Sequence, residues 1–237
     1  MIFAINTSTT QFSLALLNEE GDIVSEYIIS APNKNFAALM PAIQSIFEAS
    51  NIRYKNLKAL TVVVGPGSFT GLRVGLSTAK GFAQALKLPL IGVSGLEAMA
   101  NQLPFTQKNI CPIIDSRKGE IFYALFRLGE NHRILRILED SCARTNELPQ
   151  KIINKGTVFI GNNFHDQSRM IREAFSDDVL LAPSYLWGLR ASAVGLLGLK
   201  KYHKKKFDNL RDLVPFYIRS PDIRKNPYPF FNRDPFQ

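Results

Sequence analysis

One order of segments occurs twice in this chain, and a sequence that repeats its own order has few folds open to it. Ile2 to Ile5 is a short apolar run, Asn6-Thr7-Ser8-Thr9-Thr10 a polar turn, and Phe12 to Leu17 a β-rich run. Asn18-Glu19-Glu20-Gly21 then makes a hairpin turn into a third strand, Ile23 to Ile29. The same order returns as Ile110 to Ile114, Asp115-Ser116-Arg117-Lys118-Gly119, Ile121 to Leu128, Gly129-Glu130-Asn131-His132 and Ile134 to Leu138. The offset is 109 positions from Asn6 to Asp115 and 108 from Gly21 to Gly129. Each meander is followed later by a strand, a glycine turn and a helix. Val62-Val63-Val64-Gly65-Pro66-Gly67 precedes the helical pattern Leu72 to Leu86, and Val158-Phe159-Ile160-Gly161-Asn162-Asn163 precedes His165 to Phe175. Repetition of this kind predicts a duplicated α/β fold of two facing lobes, residues 1–103 and 104–218. The tail 219–237 carries Pro221, Pro227, Pro229 and Pro235 among Tyr228, Phe230, Phe231 and Phe236, which excludes regular structure. It is expected either to be disordered or to dock its aromatics on a partner.

Between the first meander and the second copy stand two helices of different character. Phe36, Leu39, Met40, Ile43, Ile46 and Phe47 recur at three- and four-residue spacing, one apolar face, with Pro41 either bending that helix or marking its first turn. In the second helix Leu72, Leu76, Ala79, Ala83 and Leu86 form one stripe, and Val74, Gly75, Thr78, Phe82 and Ala85 another. One stripe packs on the sheet, so the other needs a cover. That cover is either the first helix or another subunit, which Gly71, Gly75 and Gly81 would let come close.

The turn Gly65-Pro-Gly-Ser-Phe-Thr-Gly-Leu-Arg-Val-Gly75 joins the strand to that second helix. Gly65 and Gly67 open backbone angles closed to other residues, Pro66 fixes one φ between them, and Ser68 and Thr70 are competent N-caps. Free amides at a helix start can cradle an anion, or the turn can only set the angle of a packed helix. Two standard nucleotide signatures fail here. A Walker loop needs four residues between its glycines and then Lys and a hydroxyl, whereas five residues separate Gly65 from Gly71 and Leu72-Arg73 follow. The dinucleotide fingerprint has Thr70 where its third glycine should stand.

Other catalytic chemistry finds equally little footing. His132, His165 and His203 are widely spaced, with no pair at helical ligand spacing, and no esterase elbow surrounds Ser68. Asp115 and Glu120 beside a strand turn read as turn-formers or surface charges before catalytic bases. Cys111 and Cys142 stand 31 positions apart without a metal-ligand pattern and are expected to be reduced. No apolar run reaches membrane-spanning length, and Met1 leads straight into a strand, so a cytoplasmic chain without membrane association is expected.

The net charge of +9 is uneven. From Gly188 to Gln237 there are 11 Lys and Arg against 4 Asp, so +7 of it lies there, centred on Lys200-Lys201-Tyr202-His203-Lys204-Lys205-Lys206. Such a run either solvates a helix end, where cations suit the macrodipole, or is an electrostatic footprint for RNA.

Four ordered motifs carry a family resemblance over about residues 1 to 220: Ile2-Phe-Ala-Ile-Asn-Thr-Ser8, Gly65 to Gly75, Ile114-Asp-Ser-Arg-Lys-Gly-Glu-Ile-Phe-Tyr-Ala124 and Pro215-Phe-Tyr-Ile-Arg219. Together they resemble the TsaB (YeaZ) family. The resemblance implies an actin-like, sugar-kinase and heat-shock ATPase fold of two duplicated lobes. It implies a non-catalytic partner of the related subunit TsaD, which with the ATPase TsaE makes threonylcarbamoyl-adenosine 37 in tRNA. No cofactor or metal is implied for this chain; the catalytic partner's His-x-x-x-His is absent.

By the same resemblance the helical bundle with TsaD, or with a second copy in a homodimer, would draw on Phe36, Leu39, Met40, Ile43, Phe47, Leu72, Val74 and Phe82. Gly65, Pro66, Gly67, Ser68, Thr70, Gly71, Arg73 and Gly75 would form the loop and helix start. Asn6, Thr7 and Ser8 would be a vestigial nucleotide site, with Asn6 standing where relatives carry Asp. Asn35-Phe36 likewise departs from a common His-Ser. A tRNA contact through the complex is a further implied partner. The rival expectation is a catalytically active kinase or metallo-glycoprotease of the same fold, for which Asn6 lacks the required acid.

Overall fold

The two copies fold as two five-stranded sheets of the same topology. The computed structural model describes residues 1–30, 36–117, 119–130, 133–152, 156–175 and 179–219. Asn35, Lys118, the hairpin residues Asn131 and His132, and the tail from Ser220 lie outside the described residues. In the first sheet β1 (Ile2–Asn6) lies between β2 (Gln11–Leu17) and β4 (Ala59–Gly65), with β3 (Ile23–Ser30) and β5 (Leu90–Ser94) at the edges. β1, β2 and β3 pair antiparallel, and β1, β4 and β5 parallel. The second sheet repeats this with β6 (Asn109–Arg117) central, β7 (Glu120–Leu128) and β8 (Ile134–Arg144) antiparallel on one side, and β9 (Thr157–Gly161) and β10 (Leu180–Leu181) parallel on the other. The chain thus has the duplicated two-lobe actin-like α/β fold.

The helices follow from local chemistry. A 3₁₀ turn at Phe36–Ala38 leads into α1 (Leu39–Ala49), whose third residue is Pro41. There its missing N–H falls among the first-turn donors that lack a helical partner, so the proline starts the helix without kinking it. α2 (Phe69–Leu86) is capped by Ser68, whose hydroxyl accepts the Gly71 N–H at 3.4 Å, and it ends at Lys87 in the left-handed region. The short α3 (Gly95–Ala100) and α4 (Leu148–Lys151) connect strands, and α5 (Phe164–Phe175) lies in the second lobe. Cys111 and Cys142 are free thiols, and burial pushes both upward from the usual thiol range.

The central strand β1 is buried on both faces. Phe3 and Ile5 pack with Leu39, Ile43, Ile46, Leu76 and Ala79 from α1 and α2, while Ile2 and Ala4 belong to the core beneath α6 (Ala191–His203). That last helix is where the expected boundaries change. Only a 3₁₀ turn at Ser184–Leu186 precedes the helix. The helix begins at Ala191, after Gly188 with φ +103°, and packs on the first sheet. A Cβ at Gly195 would sit 2.2 Å from Leu17, and one at Gly198 2.0 Å from Thr61 Oγ1. The assignment of 104–218 to one lobe therefore fails for α6. Its N-terminus is held on the first lobe by Glu26 of β3, which pairs with Arg190 and accepts the Ser192 N–H at 2.8 Å.

Candidate functional site

The turn after β1 is closed by the chain itself. Asn6, Thr7 and Ser8 are all buried. The Asn6 amide donates to the Leu189 carbonyl at 2.9 Å and to Ser13 Oγ at 3.3 Å. Its Oδ1 accepts from the Ser8 N–H at 3.0 Å and the Ser8 hydroxyl at 2.7 Å. Thr7 Oγ1 donates to the Gly71 carbonyl at 2.7 Å. Each of the three side chains is thus engaged with protein.

The glycine loop lies directly on that turn. Ser68 N–H donates to the Ser8 carbonyl at 2.7 Å, and a Cβ at Gly67, whose φ is +155°, would stand 2.4 Å from the same oxygen. At Gly71 a Cβ would be 1.9 Å from the Thr7 carbonyl, and at Gly75 2.1 Å from Thr7 Oγ1. Gly71 and Gly75 therefore make room for Thr7, not for a neighbouring helix as their spacing suggests. Gly81 differs: it is exposed, and a Cβ there would meet nothing within 4 Å.

A contact with no local signal in the sequence closes the other side of the loop. Residues 207–219 return along the edge of the first sheet, where Leu90 and Asp208 bridge and Gly92 N–H donates to Asp208 Oδ2 at 2.7 Å. The Phe216 N–H donates to the Val64 carbonyl at 2.7 Å, and a Cβ at Gly65 would lie 2.3 Å from the Phe216 oxygen. Tyr217 stacks 5.0 Å from Phe69 and accepts from Arg73 Nε at 3.2 Å, while the Arg73 guanidinium sits 3.9 Å above the Phe69 ring. Thr70 is exposed, Pro66 buried. Arg219 then pairs with Glu120 at 2.6 Å, so the segment reaches the second lobe. The motifs Gly65 to Gly75 and Pro215 to Arg219 are one joint.

The helix residues divide sharply. Leu39, Ile43, Phe47 and Leu72 are buried in the core of the single chain, so they face its own sheet and offer nothing to a partner. Phe36, Val74 and Phe82 are half-buried, Phe82 within an aromatic group with Phe3 and Tyr54. Met40 alone of the eight points outward, 55% exposed. Beside it Pro41, Gln44, Glu48, Arg53 and Tyr54 help to line an open groove of about 720 Å³. An amphipathic pattern marks the stripe that meets the sheet; the outward neighbours of that stripe, Met40 and Gln44, are identified only once the sheet's position is known.

Four likenesses bear on this arrangement. Residues 30–221 match the family model described as TsaD, tRNA N6-adenosine threonylcarbamoyltransferase. The chain is 27% identical over 220 residues to the tRNA threonylcarbamoyladenosine biosynthesis protein TsaB of Bacillus subtilis, covering 92% of this chain and 93% of that one. It is 36% identical over 134 residues to the protein of the same name from Escherichia coli, covering 55% and 56%. In fold it is similar to a crystal structure from Pseudomonas aeruginosa described as an uncharacterized protein with similarity to peptidase YEAZ, with TM-score 0.76 at 21% identity over 92% of this chain and 99% of that one. With the model match covering most of its length and homologues of one name across bacteria, the chain belongs to the TsaD family, as a member of the TsaB (YeaZ) type.

Proposed function

We propose that this chain is the non-catalytic subunit that binds and stabilises a TsaD-type transferase in the cytoplasm during threonylcarbamoylation of tRNA adenosine. The TsaE-type ATPase joins the pair, and a homodimer forms through the same surface when the partner is absent. A role in threonylcarbamoyladenosine biosynthesis comes from the name its relatives share. The scaffold role rests on the outward face of α1 and α2, and the observation that carries it is Gly81. A glycine inside an exposed helix costs about 1 kcal/mol relative to alanine. Within the chain nothing near Gly81 requires the absence of a side chain. The missing side chain would instead let a helix of another subunit cross there closer than the usual distance of about 8–10 Å between axes. The filled turn at Asn6 supports the non-catalytic part, because its side chain is committed to Leu189, Ser13 and Ser8.

Two substitutions test the surface. Met40→Glu is expected to leave the melting temperature of the isolated chain unchanged and to weaken capture of the TsaD-type subunit from the same genome by about 100-fold, the scale of removing an interface anchor. Undiminished capture would sink the proposal. Gly81→Ala is expected to stabilise the free chain by about 0.5–1 kcal/mol in urea unfolding while weakening the complex. Equal gains in both would mean that no helix passes over it.

A further inference from the structure

The fold gathers the C-terminal cations at one place. α2 lies on one face of the first sheet and α6 on the other, and both end beside the edge strand β5. At the end of α6 the chain reverses: Lys205 takes φ +54°, its N–H donates to the Tyr202 carbonyl at 2.9 Å, and the Lys206 N–H donates to the Lys201 carbonyl at 3.0 Å. This turn holds Lys204, Lys205 and Lys206 outward, all three exposed. The next residues cover the β5 edge through the Leu90–Asp208 bridge, which brings Arg211 to the side of α2, where Lys80 Nζ lies 3.5 Å from the Arg211 carbonyl. Lys87, exposed at the end of α2, stands just before β5. Lys80, Lys87, Lys204, Lys205, Lys206 and Arg211 therefore border a single edge.

Among the described residues none of these six forms an ion pair. Asp208 is engaged with the Gly92 N–H, and Asp212 is the exposed carboxylate of the band. Two helix macrodipoles ending here account for about one unit of negative charge, too little to balance six cations. Phe207, 46% exposed, stands among them and is the one large apolar side chain exposed between Lys204 and Arg211.

From this band we infer that the chain itself binds RNA, holding the phosphate backbone across the β5 edge with an unpaired base free to stack on Phe207. Phosphates at regular spacing suit cations spread along an edge, and an exposed aromatic ring among them offers a base a face to stack on. The inference rests on the tRNA-modification reading for its choice of RNA as the polyanion. It adds a contact by this subunit and uses a surface apart from Met40.

The test is titration of a fluorescent tRNA transcript with the full-length chain over a series of NaCl concentrations, comparing wild type with Lys204→Gln/Lys205→Gln/Lys206→Gln. Removing three phosphate contacts is expected to reduce the slope of log affinity against log salt by about 2 and to weaken binding at low salt about tenfold or more, with melting unchanged. No tRNA binding by wild type at low salt, or identical slopes, overturns the inference. Capture of the TsaD-type subunit is read in parallel on both proteins. Retained capture with lost RNA binding supports the inference, whereas lost capture with unaltered RNA binding makes the band a protein contact and overturns it. Failure of the Met40→Glu test would remove the scaffold proposal without touching this result.

Discussion

Ile43→Glu is expected to destabilise the first lobe severely, where the same change at Met40 leaves its stability unchanged. Ile43 is 0% exposed between α1 and the sheet, in contact range of the core that holds Phe3 and Leu39. The substitution removes a buried branched side chain and adds a carboxylate with no partner, together costing about 4 kcal/mol or more. That is a large share of the roughly 5–15 kcal/mol that keeps a domain folded. Far-UV circular dichroism with thermal melting measures it. The expected result is a melting temperature lowered by about 10 °C or more, on the scale of about 2–4 °C per kcal/mol for a chain of this size. A well-folded Ile43→Glu protein that merely fails to bind its partner would show that α1 turns this residue outward, against its packing on Phe3 and Leu39.

Asn6→Asp is the second, and it concerns charge. The carboxylate would face the Leu189 carbonyl, which the Asn6 amide now satisfies at 2.9 Å, inside a turn with no access to water. Two acceptors in place of a donor and an acceptor cost about 2–3 kcal/mol at neutral pH. Burial and the opposed carbonyl raise the folded-state pKa of the new carboxyl above its unfolded value of about 3.9. Only the protonated acid can donate to Leu189. The variant's deficit is therefore smallest below the unfolded pKa and grows as pH rises through the folded pKa. Urea unfolding of both proteins from acid to neutral pH checks this. A difference independent of pH would mean that the introduced carboxyl ionises freely and that the turn is open.

Much of the fold is legible in the sequence because the hydrophobic period changes at each boundary. The alternating runs of β1 to β3 and β6 to β8, and the three-and-four spacing of α1, each report a local backbone state. The duplication then supplies the topology. What cannot be read are the meetings of distant segments. Leu189 as the partner of Asn6, Phe216 on Val64 and Tyr217 on Phe69 are separated by more than a hundred positions, and nothing local in either segment encodes the other. α6 shows why lobe membership is easily mistaken: small and apolar around its circumference, with Ala191, Gly195 and Gly198, it has no strongly directed face to say which sheet it joins. On α1 the difficulty is one of side. Leu39, Ile43 and Phe47 are natural candidates for an interface until the sheet is found beneath them.

The position of α6 also bears on how the chain is made. Synthesis runs from the N-terminus, so all five strands of the first sheet leave the ribosome long before the helix that covers Ala4, Leu17 and Thr61. The second sheet, by contrast, has every one of its strands and α5 in hand by Leu181. The lobe encoded first is thus the lobe finished last. Until His203 has emerged, the part of the first sheet's face over Ala4, Leu17 and Thr61 stays uncovered, apolar surface open to chaperones and to clumping between neighbouring chains on one messenger.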